Sequence, residues 1–181
     1  MPQLEELVKT QRRIVAIGLL VSCCGLSGYA SAQIKAGARQ QMLGAWQLES
    51  RTVRKASGES LLDPVLGKQP IGRLFYGASG HMMLQMMRQE RAQAISVPSN
   101  PQDAANARIV LGYDAYFGAF TVNEAEGTVT HHVEGSLFPE DLGKDFKRSF
   151  RIEGDTFTLS FTSKSPEGFD VTRTLRFRRS K

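Results

Sequence analysis

Two adjacent histidines and an acid stand in the run Thr128-Val129-Thr130-His131-His132-Val133-Glu134-Gly135-Ser136-Leu137-Phe138-Pro139. Imidazole titrates near neutral pH, so such a run suits proton transfer, ligand orientation or metal binding. Strand geometry limits the options. Successive side chains point to opposite faces, so Val129, His131 and Val133 share one side while Thr128, Thr130, His132 and Glu134 share the other. At most one histidine serves a given pocket. Three readings stay open: a satisfied structural histidine, a pocket histidine that orients a ligand oxygen or shuttles a proton, and a metal site from His132, Glu134 and His81. Zinc catalysis normally uses three protein ligands, and no third ligand stands at a diagnostic spacing, so no metal is expected.

Other chemistries lack their residues. There is no Gly-rich phosphate loop and no Gly-x-Ser-x-Gly, and Ser136 lies at a strand end without a nucleophile elbow. Both cysteines, Cys23 and Cys24, fall in an apparent leader. There Arg12-Arg13 precede the apolar run 14–21, which is shorter than the roughly 20 residues a membrane span needs. Ala30-Ser31-Ala32 supplies a small-x-small cleavage pattern before Gln33. Residues 1–32 are therefore expected to be a signal peptide and 33–181 the domain, exported to a periplasmic or secreted location. Leu20-Val21-Ser22-Cys23 also has the form of a bacterial lipobox, so membrane attachment is expected only if Cys23 is lipidated. Either cut leaves a cysteine-free domain in a compartment that permits disulfides.

The whole chain carries a formal charge of +5, with 23 basic and 18 acidic side chains. Without Lys9, Arg12, Arg13, Glu5 and Glu6 the remainder carries +4. Much of the excess lies in Arg173, Arg176, Arg178, Arg179 and Lys181, where alternation spreads it over two faces. Nucleic-acid binding calls for a concentrated basic stripe with stacking aromatics, so none is expected.

Alternation of period two positions these residues. Phe157, Leu159 and Phe161 interleave with threonine and serine; Val171, Arg173, Leu175 and Phe177 form a second inner row; Phe146, Arg148, Phe150 and Ile152 form a third. Further strands are predicted over 46–53, 72–76, 81–88, 119–123 and the histidine run, with turns at Gly77-Ala78-Ser79-Gly80, Glu126-Gly127 and Glu153-Gly154-Asp155. About eight short strands predict an all-β antiparallel barrel or sandwich. Asn100-Pro101 and Asp103 resemble a helix start, and Ile109, Tyr113 and Tyr116 recur at helical spacing, so one short inserted helix is predicted near residues 101–115. The Met82-Met83-Leu84-Gln85-Met86-Met87 strand offers a soft apolar wall.

Gly44-Ala45-Trp46, Pro70-Ile71-Gly72-Arg73-Leu74-Phe75-Tyr76, Gly80-His81-Met82-Met83, Gly112-Tyr113-Asp114-Ala115-Tyr116-Phe117-Gly118 and Gly127 to Ser136 together resemble the bacterial and fungal lipocalin-like domain family, over residues 42–178. The resemblance implies an eight-stranded β-barrel whose Trp46 closes one end under an arginine from a late strand. Arg173 is expected in that role, since it shares a face with Leu175 and Phe177; Arg176 is the rival. Related barrels bind small apolar molecules, and some act as cyclases or isomerases. The expected function is an exported barrel binding a small, largely apolar molecule, with no cofactor. Tyr76, Met83, Met86, Arg88, Tyr113, Tyr116 and one of His131 and His132 would line the pocket. One alternative is a cyclase or isomerase using His131 or His132 as acid or base, with Tyr113 or Arg73 polarising a carbonyl. Another is a structural envelope protein whose barrel is simply filled.

Overall fold

The strand periodicity turns into a closed sheet. The structure, a computed structural model, describes residues 37–91 and 111–181. A five-residue helix α1 (Ala38–Met42) leads into β1 (Gly44–Lys55), followed by β2 (Ser60–Leu61), β3 (Pro70–Tyr76), β4 (His81–Arg88), β5 (Tyr113–Asn123), β6 (Thr128–Ser136), β7 (Asp145–Glu153), β8 (Thr156–Lys164) and β9 (Asp170–Arg179). From β3 to β9 each strand pairs antiparallel with the next, and β9 returns to β1, which also pairs with β3. Eight strands thus close an antiparallel barrel, while β2 is a two-residue flap on the far part of β1. Closure removes the unpaired edges that an open sheet would present.

Two register shifts decide what faces inward. Along β1 the partner of Leu48 is Phe177 but that of Ser50 is Arg176, so Glu49 is an extra residue. A bulge of this kind reverses the alternation. Trp46 and Leu48 point inward before it, and Arg51 and Val53 after it. The second shift lies between Phe117 and Gly118, where Gly118 faces Val133 and Glu134 is passed over.

One half of the barrel is solid. Trp46, Tyr76, Leu74, Phe157, Leu159 and Phe177 are fully buried there, and each such side chain contributes on the order of 1.5–3 kcal/mol. Trp46 packs at 5.1 Å against Phe157, and its Nε1–H donates to the Met42 carbonyl at 2.7 Å. This bond ties α1 across the base.

The arginine over Trp46 is Arg179, not Arg173 or Arg176. Its guanidinium carbon lies 4.1 Å from the indole centroid, and Trp46 and Arg179 are direct partners in the β1–β9 ladder. Arg179 also donates to the Leu43 carbonyl at 3.0 Å. Arg173 does face inward, but six residues earlier on β9 it belongs to the opposite end, while Arg176 faces solvent and pairs with Glu49.

The helix predicted near 101–115 falls mainly on residues outside those described. At its end, Tyr113 already opens β5. A spacing of three puts Tyr113 and Tyr116 on one helical face but on opposite faces of a strand. The leader predicted at 1–32 likewise lies outside the described residues. Among those described, no helix is long and apolar enough to cross a membrane.

Candidate functional site

The histidine strand resolves in favour of His131. It points into the barrel with no exposed surface, between Val129 and Val133 on the buried side of β6. Its Nε2 lies 2.7 Å from the Tyr76 hydroxyl of β3. Its Nδ1 lies 2.8 Å from the Tyr116 hydroxyl of β5. Arg148 of β7 donates from Nη2 to the same Tyr116 oxygen at 3.1 Å. Four strands therefore contribute one hydrogen-bonded chain, Tyr76–His131–Tyr116–Arg148.

Burial sets the protonation of this chain. It pushes the His131 pKa well below its ordinary 6.5, and the Arg148 charge pushes the same way, so the imidazole is neutral at pH 7. Burial also raises both phenol pKa values, well above 10 for Tyr76; for Tyr116 the Arg148 charge opposes the rise. A neutral imidazole donates from one nitrogen and accepts at the other.

Counting partners assigns the tautomer. Among the described residues, Tyr76 has His131 as its sole hydrogen-bond partner. With the proton on Nε2, the Tyr76 proton would be buried without an acceptor, at about 1–3 kcal/mol. With the proton on Nδ1, Tyr76 donates to Nε2 and Nδ1–H donates to Tyr116. The Tyr116 oxygen then accepts from both His131 and Arg148, and its own proton is left for the space it faces.

That space is an open cavity of about 640 Å³ at the mouth opposite Trp46, bordered by Tyr116, Phe138, Phe146, Arg148, Phe161 and Arg173, among others. Arg148 is only 8 % exposed. Its guanidinium carbon lies 3.9 Å from the Phe161 centroid and 5.2 Å from that of Phe146. Across the cavity Arg51, turned inward by the β1 bulge, approaches Asp63 at 3.1 Å and Asp114 at 3.7 Å. The approach is charge against charge without good alignment, since Arg51 Nε and Nη1 and Asp63 Oδ2 have no hydrogen-bond partner. Burial raises the Asp114 pKa, with Arg51 opposing. Burial lowers that of Arg173, and the like charge of Arg51 adds to it.

The expected pocket residues divide by face. Tyr76, Met86, Tyr116 and His131 point inward and are buried. Met83, 49 % exposed, points outward, because Met82 and Leu84 take the inner positions of β4. Arg73 is exposed and reaches only the Gly72 carbonyl. Tyr113 lies outside, donating to Gln85 at 3.1 Å. Arg88 ties down the loop after β2, donating to the Pro64 and Val65 carbonyls. None of these four lines the mouth cavity, and neither Arg73 nor Tyr113 can act with His131 on one carbonyl.

His132 also faces outward. It lies between Thr121 Oγ1, 3.0 Å from Nε2, and Asp145 Oδ1, 2.7 Å from Nδ1. This hydroxyl–imidazole–carboxylate row spans β5, β6 and β7 on the open outer wall, where it braces three strands. His132, Glu134 and His81 form no metal-binding group, and no other group of three such side chains occurs among the described residues.

Arg148, Phe161, Arg51 and Asp114 were not singled out from the sequence as pocket residues. For Arg148 the signal was present, as it alternates with Phe146, Phe150 and Ile152 on an otherwise apolar face. A charge held on such a face points to a pocket. The lipocalin-like domain family matches this chain over residues 43–180. No curated protein matches it.

Proposed function

The chain belongs to the lipocalin-like domain family, and on that premise we propose that it binds a small amphipathic molecule at the open mouth of its barrel. The observation that carries this reading is the cavity itself, walled by Phe138, Phe146 and Phe161, with the Tyr116–Arg148 end of a buried polar chain on its border. Ligand sites are typically concave, mostly apolar and furnished with a few converging polar groups. Buried polar groups inside an apolar core are costly unless satisfied. Here the His131 network leaves the Tyr116 proton turned to the mouth, beside the remaining N–H groups of Arg148.

The site is shallower than a ligand tunnel. The Trp46 half is filled, so a ligand would rest above the His131 layer. His131 is fully buried behind Tyr116 and does not border the cavity. It serves as a positioning residue that orients the phenol, and a direct acid or base role for it has no support. Native mass spectrometry of the protein from its own host tests the reading. A retained small molecule, displaced on adding a competitor, is expected; repeated recovery of empty protein that also fails to take up apolar probes would overturn it.

Export is part of the same proposal and rests on the leader pattern of residues 1–32. Protein recovered from the host should begin at Gln33. An amino terminus at Met1 would refute export by cleavage, and a lipidated Cys23 would replace it with membrane attachment. The proposed partner is the ligand, with no nucleic acid.

A further inference from the structure

The walls of the mouth carry a charge that the barrel does not neutralise. Arg148 is buried, yet no carboxylate of the described residues lies within ion-pair distance of it, and its one hydrogen bond goes to a neutral phenol. Arg173 forms neither a hydrogen bond nor an ion pair with any described residue. Arg51 supplies a third guanidinium. Against these three cations stand two buried or half-buried carboxylates, Asp63 and Asp114, and both are turned to Arg51.

The remaining rim charges are largely engaged elsewhere. Asp141 holds Lys144, Asp145 takes His132, Lys147 holds Glu126 and Lys164 holds Asp170. Glu140 is exposed on the rim turn. Among the described residues the inner wall is therefore left with one positive charge in excess, concentrated at Arg148 and Arg173. A buried charge without a partner is expensive. The aromatic faces of Phe161 and Phe146 offset only part of that cost.

From this imbalance we infer that the molecule bound at the mouth is a carboxylate-headed monoanion with an apolar body, its head held by Arg148 and the Tyr116 hydroxyl. The inference rests on the binding reading above and names its ligand class. A planar guanidinium matches a carboxylate through two parallel N–H···O bonds. The Tyr116 proton supplies a third donor. Phe138 and Phe146 on the cavity border offer apolar surface for the body. One negative charge balances the wall, whereas a dianion would overshoot it beside Asp114.

The test uses the full chain with three probes: N-phenyl-1-naphthylamine as a neutral reporter of the cavity, and decanoate and decan-1-ol as competitors of equal chain length. Decanoate should displace the reporter at least about tenfold more effectively than decan-1-ol near pH 7. In Arg148→Gln, the preference for decanoate over decan-1-ol should fall roughly 10- to 100-fold, the range for hydrogen bonds to charged groups. Equal competition by the two compounds in the unsubstituted protein would overturn the carboxylate and leave the cavity standing. Failure of all three probes to bind would overturn both. Should Arg148→Gln not fold, the decanoate-to-decanol ratio still decides, and Arg173→Gln, at the cross-strand partner of Phe161, should lower that ratio.

Discussion

At the scale of single residues, a neutral imidazole between two phenols organises the barrel interior. The assigned tautomer predicts that nitrogen NMR of His131 shows Nδ1 protonated and Nε2 as a bare acceptor. Protonated Nε2 would break the partner count for Tyr76. Burial also makes His131 a source of pH dependence. Its folded-state pKa lies well below the unfolded value near 6.5, so the unfolded chain binds the proton first. Stability contributed by the neutral ring is complete above pH 6.5 and is lost as pH falls from there toward the folded pKa, by up to about 1.4 kcal/mol per pH unit. Urea melts between pH 7.5 and 5.5 should show this decline. A flat profile would mean that the ring is not buried neutral. At the other end of the barrel, Arg179→Ala removes the cover of Trp46 and a donor to the Leu43 carbonyl. A loss of about 1–2 kcal/mol is expected, read as a lower denaturant midpoint with no effect on ligand uptake.

At the scale of elements, the bulges matter more than the strands. Were β1 to run on through Glu49 as a regular strand, with no bulge, Arg51 would face solvent and the mouth would lose one of its cations. Were β6 to pair regularly through Glu134, with no bulge, its end would turn its faces over relative to β5. Gly118 marks that second bulge. A Cβ there would collide with the His132 carbonyl oxygen, and backbone cannot step aside as a flexible side chain can. Gly118→Ala should therefore cost about 1–3 kcal/mol and disturb the His131 ring signals; an unperturbed variant would show that the bulge adapts freely. The alternation of β7, β8 and β9 was legible from the sequence because hydrophobic and polar positions interleave, with Arg148 and Arg173 as the exceptions on the inner face. What was not legible was parity beyond a bulge, since that depends on which residue of a distant strand is the partner. Met83 and Arg73 looked like pocket residues for another reason: β3 and β4 pair without a register shift, but methionines stand on both faces of β4, so side-chain type alone does not say which face is inner. Tyr113 and Tyr116 misled differently, because a spacing of three fits a helix and says nothing about a strand's two faces. The Arg at the Trp46 end was legible in kind and missed in position: by sequence Arg173 and Arg176 compete, and direct pairing with Trp46 selects Arg179.

At the scale of the whole molecule, the barrel has two unlike ends. Trp46, Arg179 and α1 close one, and an arginine-rich cavity opens at the other. The sealed half supplies the rigid wall against which the Tyr76–His131–Tyr116 chain is held. A second apolar surface lies on the outside, where Phe75, Met83 and Phe117 are cross-strand neighbours and all exposed. It is the natural rival to the mouth for any apolar probe. The single tryptophan gives one discriminating signal, since Trp46 lies in the sealed half and its emission should barely respond to a ligand at the mouth.

The most direct measurement is a residue-resolved NMR titration of the barrel with N-phenyl-1-naphthylamine, following arginine Nε–H and aromatic side-chain signals. Binding at the mouth should give saturable shifts at Arg148, Tyr116, Phe146 and Phe161, with Trp46 unmoved. Shifts confined to Phe75, Met83 and Phe117, with Arg148 and Tyr116 silent, would contradict it.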